Sequence, residues 1–274
     1  MSLVISSSYV LADSTSGGGT ITADNPVVGY DNIVASGTLD TTTQDASYPR
    51  ANLLNPATHL RWKGTSIVAD EYLTVLNPNV QDLDYIAIAR HNLFTAQIPV
   101  SVEYLTLPST WTELIAPVIL PNDGPALFRF PRLAYSGIRL RFQHNAVVPT
   151  VAVAYCGQLL VLQRRFYVGH TPINLGRAVD HATHRSVAGN FLGRIVLGTK
   201  TGTAVALRNL TPDWYRTYMV PFTRAAEEIP FFFAWRPSTY PNEVGYAWLT
   251  QDAKPSNSRQ NGMMQLDLQL EGIV

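Results

Sequence analysis

From Val27 to about Leu162 the chain is a succession of short β-rich runs cut by Pro, Asn and Asp, with no helix-length amphipathic repeat among them. Tyr72–Leu76, Tyr85–Ala89 and Val100–Tyr104 are such runs. Ile138–His144 alternates cleanly: Ile138, Leu140 and Phe142 should point inward, and Arg139, Arg141 and Gln143 outward. The run from Thr150 to Leu162 is apolar on both faces, as in a central strand or a hairpin. Many short strands with turn signals between them restrict this region to an all-β sandwich. Two phrases sharpen the expectation. Tyr48 to Trp62 is a polar turn segment that delivers one Trp to a core, and Asp84 to Leu93 is a short apolar strand ending on Asn92, which can tie down the next loop.

The texture changes near Gln163-Arg164-Arg165-Phe166, which divides the chain into residues 1–29, 30–164 and 165–274. The first piece is rich in Ser, Thr and Gly and reads as a flexible arm. Limited proteolysis should cut in that arm or at 163–170. In the last piece, a Gly/Pro-bearing loop over 169–177 precedes strands at Gly193–Leu197 and Ala204–Leu207. Thr211-Pro212-Asp213 carries helix-start chemistry, and Pro221 should end or kink that helix. Gln265–Glu271 is a half-buried strand with Leu266, Leu268 and Leu270 on one face.

Only 15% of the 274 residues are charged and the net charge is zero, against roughly 25% charged in average globular domains. A free monomer with so few charges is a solubility risk, whereas a subunit covered by neighbours is not. Lysine occurs only at Lys63, Lys200 and Lys254, so the basic residues are nearly all arginine. That bias suits interfacial ion pairs, and GC-rich codon usage explains it equally well. Zero net charge argues against nucleic-acid binding, and no apolar run reaches the roughly 20 residues of a membrane-spanning helix. The single cysteine, Cys156, excludes an intramolecular disulfide and sits in an apolar run that suits a buried, inert thiol. No basic region precedes the first short apolar stretch, so synthesis and assembly in the cytoplasm are expected.

Two resemblances cover nearly the whole chain. Through Tyr30–Ile33, Asn52–Pro56, Arg61-Trp62, Tyr85–Asn92 and Tyr155–Gly157, residues 27–162 resemble the discoidin-like (galactose-binding-like) sandwiches on tail proteins of double-stranded DNA phages. Through Ser186–Gly189, Pro230–Trp235, Tyr246–Trp248 and Leu266–Gly272, residues 171–274 resemble the β domain of distal and minor tail proteins of long-tailed phages. The order of the two pieces departs from many distal tail proteins, whose sandwich follows the tube-like domain. The resemblance implies a virion protein of the tail tip that forms a ring, trimeric or hexameric. It would contact the tail tube, tape-measure and baseplate hub proteins, with no cofactor and no catalysis. The aromatic load of Phe231, Phe232, Phe233, Trp235, Tyr246 and Trp248 is the expected assembly surface, because strand alternation sends only half of Phe231–Phe233 into one core. On this reading 165–274 assembles, 30–162 projects outward, and Phe232→Asp gives a soluble folded monomer if Phe232 is the outward member of its run.

The alternative is an adhesin that uses the sandwich to bind a host surface glycan. His59, Trp111, Arg132 and Tyr135 are its candidate residues, through aromatic stacking and hydrogen bonding. A free-standing accessory module of a glycan-active enzyme is disfavoured by the lack of a catalytic partner domain. His181 and His184 beside Asp180 could bind a metal if they were helical, but no further ligands accompany them. Asp82 and Asp84 read as turn caps before a strand. Each of these four residues is therefore expected to tolerate Ala.

Overall fold

The computed structural model describes residues 1–11, 21–35, 37–106, 109–257 and 260–274; the glycine-rich stretch 16–20 lies outside them. Apart from a 3₁₀ turn at Arg50–Leu54 and a helical segment over 212–226, the regular structure is strand. Two five-stranded sheets face each other as the sandwich. The outer sheet runs Leu39–Thr41, Glu71–Leu76, Gly137–Phe142, Val100–Thr106, Thr110–Val118. The middle sheet runs Leu3–Ile5, Ala126–Leu133, Leu83–His91, Thr150–Gly157, Trp62–Lys63. Ile138, Leu140 and Phe142 fill the space between them as their alternation requires, packed with Val100, Val102, Phe128 and Phe130. Trp62 is fully buried there, its indole N–H donating to the Thr43 carbonyl at 2.9 Å. Asn92 holds the loop before Thr150: its amide donates to Val148 O and accepts from Thr150 N.

A third sheet of eight strands stacks on the other face of the middle sheet. Its path is Leu160–Val161, Val27–Gly29, Phe231–Ala234, Val244–Leu249, Met264–Ile273, Phe191–Leu210, Arg177–Arg185, and Ser256–Asn257 pairs with Met264–Ile273. Leu83–His91 is therefore covered on both faces: Ile86 and Ile88 face the sandwich core, while Tyr85, Ala87 and Ala89 face the third sheet. The helical segment closes the far side of the stack. Its Trp214, Met219 and Phe222 pack with Phe231, Phe233, Leu207, Leu266, Leu268 and Leu270. Each fully buried Leu or Phe contributes roughly 1.5–3 kcal/mol, so the third sheet is bound to both neighbours by apolar layers.

Three expectations need correction. The 1–29 arm is not free where it is described: Leu3–Ile5 pairs in parallel with the strand at Ala126–Leu133, and Ser2, Leu3 and Val4 are buried. Val27–Gly29 pairs with Phe231–Ala234. The cause is apolar side chains flanking the polar stretch, which a whole-window composition hides. Nor does the chain break at 164/165, because Leu160 and Leu162 pack with the C-terminal core and Gln163 exchanges two hydrogen bonds with Thr211. Proteolysis should enter at the exposed Tyr167–Val168, within the expected window, or at Val187; cleavage at 72–104 would contradict the stacking. Finally, of the two outcomes expected at Pro221, an end or a kink, the helix does not end there. Pro212–Trp214 is α-helical, Tyr215–Met219 forms a π turn in which Val220 N–H reaches Tyr215 O, and the α-helix resumes over Val220–Ala226. The wider turn accommodates the missing N–H and the ring.

One carboxylate ties the start of the chain to this stack. Asp24 accepts from Arg236 at 2.7 and 3.2 Å, from Ser238 N and Thr239 N, and from the Thr239 hydroxyl. Burial alone would raise its pKa, but the Thr239 and Arg236 donors outweigh that and hold it at about 2. A depressed carboxylate pKa gives stability that is present above the unfolded value, near 4, and is lost as pH falls toward 2. Asp24→Asn should therefore lower Tm at neutral pH and flatten the loss of Tm between pH 4 and 2. An unchanged acid limb would count against this anchor.

Candidate functional site

Two features stand out from the packed layers. The first is a β-hairpin. The strand Phe191–Leu210 is continuous over 20 residues, joining the two strands expected at 193–197 and 204–207. Residues 201–210 pair with Met264–Ile273, whereas residues 191–200 pair only with Arg177–Arg185. The tip turns at Ser186–Asn190: Gly189 takes a positive φ of 82° and donates its N–H to Ser186 O. At the base, Gly176 lies so close to Gly202 that a Cβ there would come within 2.0 Å of the Gly202 carbonyl oxygen. The two-stranded part is exposed on both faces. Alternation places Ile195 and Val196 on opposite faces, Leu192 and Leu197 sit at the two bulges of the ladder, and all four are 60–71% exposed. Neither face has a core to cover it, and an isolated two-stranded ribbon is marginal in water.

His181 and His184 lie on this hairpin, not in a loop or helix. No bulge falls between them, so strand geometry turns them to opposite faces. His181 Nδ1 instead takes a hydrogen bond from Arg194. Among the described residues no group of three or more His, Cys, Asp or Glu is placed to hold a metal ion.

The second feature is a cleft of about 510 Å³ where the edge of the middle sheet meets the 158–161 segment and the helix. Asp84, Arg129 and Arg132 of the sheet and Trp214 and Tyr218 of the helical segment line it. Asp84 is 3% exposed. Its Oδ2 accepts from Arg132 Nε at 3.0 Å and Nη2 at 2.7 Å, and its Oδ1 from Leu159 N at 2.7 Å. Burial raises its pKa, with Arg132 and the Leu159 N–H opposing. Asp84 is thus no turn cap but a buried charge holding the 158–161 segment, whereas Asp82 is exposed. Arg129 is 3% exposed on the adjacent strand, and burial lowers its pKa. The Tyr9 ring lies 4.5 Å from its guanidinium.

The four candidate glycan residues do not converge. His59 is exposed in a loop. Trp111 is half-buried under the Arg139 guanidinium, 4.3 Å away, which also lies over Tyr72. Tyr135 is buried against Tyr104 and Phe130, with its hydroxyl donating to Pro131 O. Only Arg132 reaches the cleft, and Asp84 and Leu159 already engage it.

The aromatic residues expected to form an assembly surface are covered within the chain. Phe231 and Phe233 face the helix and Phe232 faces the middle sheet, all at most 2% exposed. Phe232 packs against Tyr155 and Tyr246 at centroid distances of 5.4 and 4.9 Å. Tyr246 donates its hydroxyl to Pro56 O at 2.8 Å. Trp235 is half-buried between His170 and Tyr240, and Trp248 is half-buried. The second face of Phe231–Phe233 does need a cover, but this chain's own sandwich supplies it. Burial is complete for Cys156 as well, and it pushes the thiol pKa up, away from nucleophilic use.

No known protein-family profile and no curated protein matches the chain. Solved structures match part of it. Chitosan-binding module 1 from a Paenibacillus sp. IK-5 chitosanase/glucanase is 10% identical, with 46% of this chain and 98% of that chain covered at a TM-score of 0.39. A pectin binding carbohydrate binding module is 12% identical over 47% of this chain and 92% of its own, at 0.37. A Ruminococcus gnavus GH29 fucosidase is 15% identical over 45% of this chain and 26% of its own, at 0.37. Likeness at this level carries no conclusion about what the present chain binds.

Proposed function

We propose that this protein is a structural subunit that assembles with copies of itself through the hairpin at 177–201, and that the assembly is a ring at a phage tail tip. The observation that carries self-assembly is the hairpin's exposed Leu192, Ile195, Val196 and Leu197, which no other part of the described chain covers. The low charge and zero net charge fit a surface buried between subunits. A neighbouring copy covers the hairpin, and cyclic closure satisfies every subunit alike. The tail-tip location rests on the sequence resemblance in both halves of the chain.

The test is light scattering and negative-stain microscopy of the full chain beside a variant in which residues 178–200 are replaced by a two-residue turn. The native chain should form rings, and the variant should be a monomer that still melts cooperatively, its far-UV circular dichroism reduced only by the strands removed. A native chain that stays monomeric at high concentration and gives signal on a glycan array would favour the adhesin reading and overturn this one.

A further inference from the structure

The cleft beside Asp84 contains a cation that lacks an anion of its own. Arg129 lines it from within the middle sheet, at a strand position bordered by Tyr85 and Ile5. Its Nε is buried and has no hydrogen-bond partner among the described residues. A buried guanidinium is expected to be paired and hydrogen-bonded, and an orphaned donor costs about 1–3 kcal/mol. Asp84 is the adjacent carboxylate, but its oxygens are taken by Arg132 and the Leu159 amide. Asp31, also on the wall, points one oxygen at the Gln158 amide, 2.9 Å away. Trp214, Tyr218, Leu160 and Val161 add aromatic and aliphatic side chains to the same lining. The volume falls within the range of about 300–1,000 Å³ common for small-ligand sites.

We infer that this cleft binds a small monocarboxylate with an aromatic or aliphatic body, its carboxylate on Arg129 and its body against Trp214. The arginine fork suits a carboxylate, and binding would satisfy the orphaned donor. Asp84 and Asp31 repel a second negative charge, so the site selects one charge over two. The inference is independent of whether the chain assembles.

Isothermal titration calorimetry of the full chain with 3-phenylpropionate, 3-phenylpropanamide and inorganic phosphate tests it. The acid should bind one per chain, and the amide and phosphate at least tenfold more weakly. Arg129→Gln should weaken the acid at least tenfold, with a thermal melt confirming that the variant folds. If that variant does not fold, the acid–amide comparison on the native chain still decides. No measurable binding of the acid, equal affinity for acid and amide, equal affinity for phosphate, or undiminished binding by folded Arg129→Gln would each overturn the assignment.

Discussion

Phe232→Asp should abolish folding of the third sheet onto the sandwich and leave the protein insoluble or without a cooperative melt. Phe232 is fully buried between two layers, in edge-on contact with Tyr155 and tilted against Tyr246. Truncating such a ring costs about 3–5 kcal/mol before any charge is considered. Placing a carboxylate there adds several kcal/mol of desolvation with no cation to offset it. Total stability of domains is about 5–15 kcal/mol, so the sum removes most or all of it. Phe232→Leu keeps most of the apolar volume and should melt cooperatively at a lower Tm. The contrasting variant is Val196→Asp on the hairpin, where the side chain is 60% exposed. It should leave Tm nearly unchanged and weaken assembly. A soluble, cooperatively folded Phe232→Asp protein would mean that this residue faces a neighbour, and the stacking described here would be wrong.

Asp84→Ala should cost about 1–3 kcal/mol, the range for leaving a buried donor without its acceptor, because Arg132 is 42% exposed and can be solvated. It strands the Leu159 N–H and leaves Arg132 without its carboxylate. Burial already raises the Asp84 pKa against the pull of Arg132, so ionising this group in the folded state is itself expensive. The pair is therefore more costly to break than to remove whole. Asp84→Leu with Arg132→Leu should recover only part of what Asp84→Ala loses, because the Leu159 N–H stays without its acceptor, as measured by denaturant unfolding in a double-mutant cycle. Asp82→Ala, at an exposed position two residues away, should be near neutral. If the two single alanine variants melt alike, Asp84 does not hold the segment at 158–161.

What could be read from the sequence was set by contrast between the two faces of a strand. Ile138, Leu140 and Phe142, or Leu266, Leu268 and Leu270, alternate with polar residues, so a two-residue period identifies the buried face directly. Phe231–Phe233 has no such contrast. Alternation shows that both faces need covering but cannot say whether the cover is a neighbour or a distant part of the same chain. The hairpin hid for the opposite reason: Arg177–Arg185 and Phe191–Thr201 mix polar and apolar residues on both sides because neither side is buried in the monomer. Asp84 was misread because its partner Arg132 is 48 residues away, beyond any local pattern. Arg129 did leave a trace, a lone charge within Ala126-Leu-Phe-Arg-Phe130, and such an interruption of an apolar strand is the signal that points to the cleft.

The layering also bears on how the chain comes to be folded as it leaves the ribosome. Tyr85, Ala87, Ala89 and Val153 on the second face of the middle sheet wait for Phe232, Val244 and Tyr246, some 80 to 160 positions later. The sandwich can close once residue 157 has emerged, but it closes with a greasy side open to water. That side stays open while the remaining hundred or so residues are synthesised. At about 5–20 residues per second, the interval is several seconds, long enough for a nascent sandwich to meet another one. Crowded polysomes would then trade correct stacking for clumping, and a holdase that shields this face during elongation would raise the yield of native subunits.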